Sequence, residues 1–479
     1  MRMRNVRNDP ASCIRSRRYL LPTLVALLLG GGCMRVAPPY VEEVTYELRV
    51  RVGSPGSVTA YAIDLERDSV SLRFSWGDND FSDWTPFVPS RDTVSATHIW
   101  SDPGYYLVKV QARDLQGHTS RWSPGIRTYV LDSTLVKWLV RVGRVTEHCP
   151  AIGPDGTVYA SCYDGLIALT PDGVLKWKYS GAEEPRSPVI ATDGTIYFID
   201  DDDWLHALNT DGSCKWVDSI DARWLHSPAV DPDGTVYVGD GDTLLALNPN
   251  GTEKWRAYMG ERPCGSPVVT TAGKVLVAGS AQVCAFRPDG ALAFQVVCRY
   301  YPWILAGAGG DFYVAGEESV CAFDSSGNKK WEVEMREEIT NEPTIGLGGQ
   351  VYVPCEDCGL YRIEPGGEIH PPDYCLSPSG IAVNADGDLV FGNERSCEQE
   401  RYEFLCLDSA LGMLWSVESG AKVGISPTIA PDGTVYVCSA DGWLYAIRGR
   451  AGLAASPWPK FQHDERNSGC AMTTIGGGR

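Results

Sequence analysis

Aromatic residues recur at an interval of 39 residues through the middle of the chain. Four tryptophans and a phenylalanine follow this interval, and one further tryptophan comes 37 residues later: Trp138, Trp177, Trp216, Trp255, Phe294 and Trp331. A period of this length is typical of a β-propeller, in which each repeat supplies four short strands that form one sheet, or blade. Between the aromatic residues lie strand-sized apolar runs separated by Asp-Gly or Asn-Gly turns. The repeat therefore predicts an all-β fold.

Eight units share this frame. The clearest unit, residues 227–255, reads SPAVDPDGTVYVGDGDTLLALNPNGTEKW. The other units span residues 150–177, 187–216, 266–294, 303–331, 342–371, 379–415 and 426–458. Because Trp138 precedes the first full unit, we expect residues 136–142 to add the outermost strand to the last blade, which closes the ring and removes an exposed sheet edge. We predict an eight-bladed β-propeller over residues 132–462, followed by a C-terminal tail over residues 463–479.

Two motifs of the repeat, A-L-x-P-x-G-x-x-K-W and S-P-x-x-x-x-D-G-T-V-Y, resemble the quinoprotein-like, or PQQ-like, propeller repeat. Residues 456–469, SPWPKFQHDERNSG, resemble a terminal sequence that many such proteins carry. The family includes quinone-dependent alcohol dehydrogenases and the propeller lipoprotein of the outer-membrane β-barrel assembly machinery. The resemblance therefore implies the fold and leaves both an enzyme and a binding scaffold open, because function depends on the site.

The N-terminus has the layout of an export signal. Three arginines, at positions 15, 17 and 18, precede the apolar run YLLPTLVALLL and then Gly-Gly-Gly-Cys33. The run is too short to span a bilayer. The sequence LLGGGC resembles the bacterial lipoprotein signal, although Gly30 stands where leucine is usual, and the resemblance implies lipidation of Cys33. The alternative is ordinary signal-peptide cleavage with no lipid. We expect residues 1–32 to be removed and the protein to be anchored at the outer membrane or cell surface.

A second folded unit is predicted between a linker, residues 33–40, and the propeller. Residues 41–131 contain LRFSWGD and HIWSDPGYYLVKVQARD, which resemble the immunoglobulin-like polycystic-kidney-disease (PKD) repeat of bacterial surface proteins. Residues 106–110 alternate between apolar and polar side chains, as a half-buried strand does. We expect Trp76, Trp100 and Trp122 to fill the core between two sheets. The domain is expected to act as a spacer or an adhesive module.

Composition restricts the partners. The chain has 61 Asp and Glu residues against 42 Lys and Arg residues, a net charge of −19. A charge this negative opposes binding to nucleic acid or to an anionic membrane surface. The expected partners are therefore envelope or surface proteins, and we expect the protein to be a monomer within a larger assembly.

The binding surface is predicted from the variation among the repeats. The turns between the first and second strands and between the third and fourth strands of each unit are monotonous, whereas the loops on the other face vary. Variable loops on a rigid scaffold are a common place for binding. Basic and aromatic residues on these loops form the predicted partner site: Arg223, Trp224, Arg262, Arg299, Tyr300, Tyr301, Trp303, Tyr374 and Lys422. The alternative is that the arginines pair with acidic residues of neighbouring loops.

Signatures of catalysis are missing from the sequence. It contains no Cys-Cys dipeptide, which many quinone dehydrogenases use, and no C-x-x-C-H, H-E-x-x-H or G-x-S-x-G motif. We therefore predict no catalytic residues and neither a bound quinone nor calcium. Aspartates at positions 78, 80 and 83, and the run Asp200–Asp203, are interpreted as solvated loops rather than calcium ligands.

The cysteines and histidines are mostly interpreted as structural. Cys355 and Cys358 form a C-x-x-C pair for which a local disulfide, free thiols, and a metal or redox role all remain open. His206 occupies a position filled by Leu245 in another unit, so we expect it in the core. Cys284, Cys321 and Cys406 are also predicted to be small core residues. The sequence thus predicts a non-enzymatic envelope scaffold; the alternatives are a periplasmic quinone-dependent oxidoreductase and a carbohydrate-binding surface protein.

Overall fold

The computed structural model describes residues 38–43, 47–132, 134–143, 148–222, 227–298, 302–355, 359–371, 376–396 and 402–471. Within these ranges the chain forms strands and turns, with a single 3₁₀ turn at Ala308–Gly310 and no α-helix. None of the described segments forms a long apolar helix of the kind that crosses a membrane.

Two facing sheets make up the N-terminal domain. Its strands are β1 (Tyr40–Glu43), β2 (Glu47–Arg51), β3 (Pro55–Ile63), β4 (Ser71–Ser75), β5 (Thr93–Ile99), β6 (Gly104–Arg113) and β7 (Ile126–Leu131). One sheet has the order β1-β3-β5 and the other β2-β7-β6-β4, with β2 and β7 parallel. Side chains of β3 and β6 alternate between buried and partly exposed, which places one side of each strand in the shared core.

Two of the three tryptophans expected in this core are buried there. Trp76 and Trp100 lie edge to face with ring centroids 5.9 Å apart. Trp122 is only half-buried, and its ring lies 5.8 Å from the guanidinium of Arg73 and 6.0 Å from the ring of Phe81. The expectation that Trp122 fills the core was wrong, because its position lies beyond β6 on the outer side, where an arginine covers it.

The remaining strands form sheets that follow one another along the chain. The first four sheets comprise β9 (Ala151–Ile152), β10 (Val158–Cys162), β11 (Gly165–Leu169) and β12 (Leu175–Tyr179); β13 (Val189–Ile190), β14 (Ile196–Ile199), β15 (Trp204–Leu208) and β16 (Cys214–Ser219); β17 (Ala229–Val230), β18 (Val236–Asp240), β19 (Thr243–Leu247) and β20 (Glu253–Tyr258); and β21 (Val268–Val269), β22 (Val275–Ala278), β23 (Gln282–Phe286) and β24 (Leu292–Val297).

The later sheets have the same antiparallel order. They comprise β25 (Trp303–Ala306), β26 (Phe312–Ala315), β27 (Ser319–Phe323) and β28 (Lys329–Glu334); β29 (Thr344–Ile345), β30 (Val351–Cys355), β31 (Gly359–Ile363) and β32 (Ile369–His370); β33 (Leu376–Pro378), β34 (Ala382–Val383), β35 (Leu389–Ser396), β36 (Tyr402–Leu407) and β37 (Met413–Ser419); and β38 (Thr428–Ile429), β39 (Thr434–Ser439) and β40 (Trp443–Arg448) with β8 (Val136–Arg141). The pairing of β8 with β40 agrees with the position of Trp138 in the repeat.

Successive sheets stack face to face, so their middle strands are buried on both faces. Every residue of β10 and β11 is buried, whereas the outer strand β12 is largely exposed. The last sheet also meets the first: the hydroxyl of Thr428 on β38 donates to the carbonyl oxygen of Pro150, next to β9, at 2.6 Å. The sheets therefore form a closed ring with the short first strands at its centre.

The repeated tryptophan joins neighbouring sheets at five positions. Trp216, on strand β16 of the second sheet, donates from Nε1 to the carbonyl oxygen of Pro249 in the third sheet at 3.0 Å. The indole ring of Trp216 packs on the turn at Gly251. A Cβ atom added to Gly251 would lie 3.0 Å from the indole, and the φ angle of this glycine is +84°. The same indole-to-carbonyl bond recurs at Trp138, Trp177, Trp255 and Trp331. The 39-residue interval thus reflects a contact that five of the sheets make with a neighbour; the fourth sheet has Phe294 at this position, and Nε1 of Trp415 in the seventh sheet has no hydrogen-bond partner among the described residues.

The lysine before each tryptophan has a role within its own sheet. Lys254 donates from Nζ to the Thr235 hydroxyl at 2.6 Å and to the Asp233 carboxylate at 3.2 Å. The same contacts are made by Lys176 and by Lys137. The K-W and D-G-T motifs of the repeat therefore tie the outer strand to the turn before the second strand.

The two domains meet at a buried ion pair. The guanidinium of Arg49 on β2 donates from Nη2 to the carboxylate of Asp441, in the turn between β39 and β40. The Arg49 side chain is fully buried, and its guanidinium lies 4.7 Å from the ring centroid of Tyr129 and 5.8 Å from that of Tyr445. Arg51 also donates to the carbonyl of Lys137 at 2.6 Å. These contacts fix the sandwich against the edge of the ring.

Candidate functional site

A cavity of about 1010 Å³ lies at the centre of the ring. Its walls come from the variable loops and the adjoining first strands, and its floor comes from the C-terminal segment. The residues that determine its chemistry are Arg186, Ser266, Trp303, Glu317, Glu338, Glu342, Trp458, Phe461 and Gln462. The cavity therefore lies on the face that sequence variation marks for binding.

Strand register shows how the wall differs from sheet to sheet. In the third sheet Val230 pairs with Val236, and the residue three positions before Val230 is Ser227. Applying the same register to every sheet gives a ring of equivalent positions: Cys149, Ser187, Ser227, Ser266, Trp303, Glu342, Gly380 and Ser426. Two large side chains, a tryptophan and a glutamate, thus stand on neighbouring sheets where serine is the commonest residue.

The serines at this position connect neighbouring sheets. Ser227 Oγ donates to the carbonyl of Ser187 at 2.9 Å, and Ser187 Oγ accepts from the amide of Cys149 at 2.9 Å. Ser266 Oγ accepts from the amide of Ser227 at 3.1 Å. At the fifth and sixth sheets Trp303 and Glu342 stand in place of serine, and their larger side chains line the cavity. The ring is therefore asymmetric, and its specialised side lies at the fifth and sixth sheets.

Glu342 is the central ionisable group of this wall. Its Oε1 accepts a hydrogen bond from Nε1 of Trp458 at 3.0 Å, and part of its surface is open to the cavity. Desolvation by the surrounding protein raises the pKa of Glu342 to about 8, against smaller lowering contributions from the Trp458 hydrogen bond and the charge of Lys460. The carboxyl group therefore changes charge near neutral pH.

Two more carboxyl groups and one guanidinium complete the charges of the cavity. Glu317 lies in the loop between β26 and β27, and its carbonyl accepts from the amide of Ile339 at 2.8 Å, which holds the loop carrying Glu338 against it. Arg186 belongs to the second sheet and lies 4.0 Å from the carboxylate of Asp201. Burial lowers the pKa of Arg186, although nearby aspartates oppose the effect. Among the described residues of the walls, carboxyl groups outnumber cations.

Residues 456–471, which we call the plug, form the floor. The plug runs along the innermost edges of the sheets, where backbone amides would otherwise lack partners. Amides of first strands donate to its carbonyl groups: Ile152 to Glu465, Ile190 to Arg466, Val230 to Ser468, Val269 to Gly469, Ile345 to Trp458 and Val383 to Pro459. Residues 463–471, which the sequence analysis treated as part of a tail, are thus built into the ring.

Two side chains hold the plug in shape. Lys460 is fully buried and donates from Nζ to the carbonyl of Phe461 at 2.6 Å, to that of Asp464 at 3.3 Å and to Oδ1 of Asn467 at 2.5 Å. Asn467 Nδ2 in turn donates to the carbonyls of Pro150 and Pro188 at 3.2 and 3.0 Å. Trp458, which the sequence analysis placed at the end of the eighth repeat, is buried at the centre instead, because β8 already fills the outer position of that sheet.

The predicted partner-binding residues are only partly described. Trp303 lines the cavity. Arg262 is exposed and donates to both carboxylate oxygens of Asp221 at 2.8 and 2.7 Å, so the alternative of pairing with a neighbouring loop holds for this arginine. Lys422 is exposed. The other predicted residues, with Cys33 and Cys358, lie outside the described ranges: Arg223, Trp224, Arg299, Tyr300, Tyr301 and Tyr374.

The structure also places the histidine, the aspartate and the cysteines that the sequence assigns to the core or to loops. His206 is buried and its Nε2 lies 2.7 Å from Oδ2 of Asp200, which is buried as well, so the expectation of a solvated loop was wrong for Asp200. Cys284 and Cys406 are buried as predicted, whereas Cys321 is half-buried. Cys355 is buried at the end of β30. Within the described residues, no cluster of three His, Cys, Asp or Glu side chains is arranged to hold a metal ion.

Four residues that line the cavity were not predicted as site residues from the sequence: Glu317, Glu342, Trp458 and Gln462. A signal for Glu342 was present, because it stands before a proline where other repeats have serine. Trp458 and Gln462 could not be placed, since nothing in the repeat shows that the C-terminal segment returns to the centre of the ring.

Comparison with known proteins agrees with this architecture. A family model described as outer membrane protein assembly factor BamB matches residues 216–301. A solved structure titled Dos1 propeller is 12% identical, with a TM-score of 0.52, and the match covers 66% of this chain and 96% of that chain. The ring is a β-propeller, and its residues 216–301 match a PQQ-like repeat family. At this level of identity the structural likeness shows the propeller fold alone.

Other solved structures match more weakly. A putative gluconolactonase is 14% identical with a TM-score of 0.36, covering 66% of this chain and 93% of its own. The PKD domain of an M14-like peptidase from Thermoplasmatales archaeon SCGC AB-540-F20 is 23% identical with a TM-score of 0.18, covering 20% of this chain and 96% of its own. Neither likeness assigns an activity to the propeller. No curated protein matches the chain.

Proposed function

We propose that this protein is an exported, non-enzymatic binding scaffold whose propeller presents its variable-loop face to a polypeptide partner at the cell envelope. In this proposal residues 1–32 are a signal peptide, acylated Cys33 anchors the mature chain at the outer membrane or cell surface, and residues 41–131 are a PKD-type, immunoglobulin-like spacer. The chain is a monomer within a larger assembly.

The observation that carries the proposal is the central cavity. Its wall residues belong to the variable loops or to the strand positions next to them, and they are held on a ring whose inner edge is closed by the plug. A rigid frame reduces the entropy lost when a partner orders the loops. A concave site bordered by Trp303 and by charged side chains has the composition that favours recognition.

The same contacts support eight blades. Each of the eight repeats supplies one sheet of the ring, and the hydrogen bond from Thr428 to Pro150 joins the eighth to the first. The match of residues 216–301 to a protein described as an assembly factor supports a polypeptide as the partner. The buried pair of Arg49 and Asp441 supports the spacer role, because it holds the propeller at a fixed orientation on the N-terminal domain.

A quinone cofactor does not fit the cavity. Pyrroloquinoline quinone carries three carboxylates. The described part of the walls holds Glu317, Glu338 and Glu342, of which Glu342 becomes charged only near pH 8, against one guanidinium, that of Arg186. Like charges at short range in a desolvated site raise the cost of binding. The charge of the cavity therefore supports a binding protein over the quinone-dependent oxidoreductase.

Site-specific photo-crosslinking tests the proposal. A photoreactive amino acid is placed at Thr340, which is exposed beside the cavity, and in a matched variant at Asn250, at the tip of an exposed turn on the opposite face. Irradiation of native envelopes is expected to give a discrete polypeptide adduct from position 340 and none from position 250. Equal adducts from both positions, no adduct from position 340, or dye-linked alcohol oxidation by the purified protein would each overturn it.

A further inference from the structure

The aromatic and acidic side chains of the cavity lie together on one side. Trp303 belongs to β25, Glu317 follows β26, and Glu338 and Glu342 precede β29, so all four come from the fifth and sixth sheets. Trp458 and Phe461 of the plug adjoin them from below. Aromatic ring faces and carboxylates are the two kinds of group that attract organic cations in proteins. The arrangement thus resembles a receptor for a positively charged group.

The balance of charge favours a cation. Glu317, Glu338 and Glu342 contribute three carboxyl groups. Among the described residues of the walls, Arg186 is the one cation; it belongs to the second sheet and lies 4.0 Å from Asp201. Beneath the floor, Lys460 directs its three hydrogen bonds to plug atoms. An ammonium group at the Trp303 side of the cavity would therefore face the carboxyl groups of Glu317, Glu338 and Glu342. Among the described cations, Arg336 lies beside Glu317 and Glu338, and Lys460 acts on Glu342 from below the floor.

A polar atom on the floor also lacks a partner. Gln462 is 2% exposed and lines the cavity, and its Oε1 has no hydrogen-bond partner among the described residues. This oxygen lies against Gly469 and is not open to the cavity, so a ligand or a water molecule can donate to it only after the Gln462 side chain has turned towards the cavity. This observation is independent of the carboxylates, and a turned Gln462 side chain would offer its oxygen to a hydrogen-bond donor such as an ammonium group.

We propose that the central cavity binds an organic ammonium group, with Glu342 as its counter-ion and Trp303 and Trp458 as the aromatic wall. The group can come from a small free amine or from a lysine side chain of a partner. The second source deepens the proposed function and rests on it. The first does not require a polypeptide partner.

The test uses the full-length protein and matched pairs of probes. Choline carries a fixed positive charge, and 3,3-dimethylbutan-1-ol is its neutral isostere. Nα-acetyl-lysine methylamide and Nα-acetyl-norleucine methylamide form the corresponding pair for a lysine side chain. Dissociation constants are measured by NMR titration at about pH 9, above the pKa of about 8 of Glu342. We expect each cation to bind at least about tenfold more tightly than its neutral counterpart.

Three variants locate the binding. Glu342→Gln keeps the shape of the side chain and is expected to weaken choline binding about tenfold; Trp303→Leu is expected to weaken it several-fold. Glu253→Gln changes an exposed glutamate on the outer strand β20 and is expected to leave binding unchanged. Folding of each variant is checked by circular dichroism.

The outcomes separate the two proposals. Equal affinity for choline and its isostere, or choline binding that Glu342→Gln and Trp303→Leu both leave intact, would refute the ammonium site even if position 340 crosslinks to a partner. Tighter binding of the lysine probe than of choline, together with loss of the crosslink in Glu342→Gln, identifies a partner's lysine as the source. Tighter binding of choline, with the crosslink unchanged, identifies a small amine.

Discussion

Replacing Glu342 by glutamine should make the protein more stable, and increasingly so as the pH rises. The pKa of this carboxyl group is raised from its usual 4.5 to about 8 in the folded protein. The folded state therefore holds a proton that the unfolded chain releases, so the free energy of unfolding falls as the pH rises from about 4.5 to about 8 and is constant above that range. Glutamine is neutral throughout, and its side-chain oxygen can still accept the Trp458 hydrogen bond.

The size of the effect follows from the pKa. Each tenfold change in proton affinity is worth about 1.4 kcal/mol, which gives an upper bound of about 5 kcal/mol for the whole range. We expect roughly 2 kcal/mol, because the cavity admits water to one side of the carboxylate and reduces its desolvation. The stability of Glu342→Gln relative to the natural protein should therefore grow by this amount between about pH 4.5 and about pH 8.

The assay is chemical denaturation followed by tryptophan fluorescence at a series of pH values. Comparing variant with natural protein at each pH removes the titration of all other groups, since they are common to both. Glu253→Gln serves as the control, because its carboxylate is on the exposed outer strand. A stability difference for Glu342→Gln that stays the same across the pH range would refute the claim that burial in the cavity perturbs this group.

Three further changes test the frame around the site. Asn467→Ala removes the amide that bridges the plug to Pro150 and Pro188 and should lower the free energy of unfolding by about 1–3 kcal/mol, measured by urea denaturation. Arg49→Met removes the buried partner of Asp441 and should lower the free energy of unfolding by about 3–5 kcal/mol. Arg256→Met, which breaks an exposed ion pair, is the control and should lower it by at most about 1 kcal/mol. Equal losses of stability in the two variants would contradict a buried contact between the domains. Trp255→Phe should lose about 1 kcal/mol with its indole hydrogen bond to Pro288, and calorimetry showing no change would contradict the role given to the repeated tryptophan.

The repeat was readable because each of its motifs acts over a short distance. Lys254, Thr235 and Trp255 make contacts within one sheet or with the next, so the same residues reappear in several units at the same spacing. The pairing of β8 with β40 was predictable for the same reason, because Trp138 occupies the tryptophan position of the repeat but no other part of a unit precedes it. Local and nearest-neighbour interactions leave a periodic trace in a sequence.

The site left no such trace, because it depends on interactions that occur once. Glu342 meets Trp458 across 116 residues of sequence, and Lys460 and Asn467 act inside a segment that belongs to no repeat. The basic residues of the loops remain a prediction as partner-binding residues. Arg262 shows what the sequence could not indicate, because Asp221, 41 residues earlier, lies within reach only after two sheets have stacked. The charge of the cavity is set by which side chains the closed ring directs inward.

The plug connects the stability of the ring to the chemistry of the cavity. Its carbonyl groups accept hydrogen bonds from the innermost strands of sheets on both sides of the ring, and the same segment places Trp458, Phe461 and Gln462 on the cavity floor. A substitution such as Asn467→Ala, which lies outside the cavity walls, should therefore weaken choline binding as well as the fold. The two losses should appear together, since both depend on one segment keeping its path across the centre of the propeller.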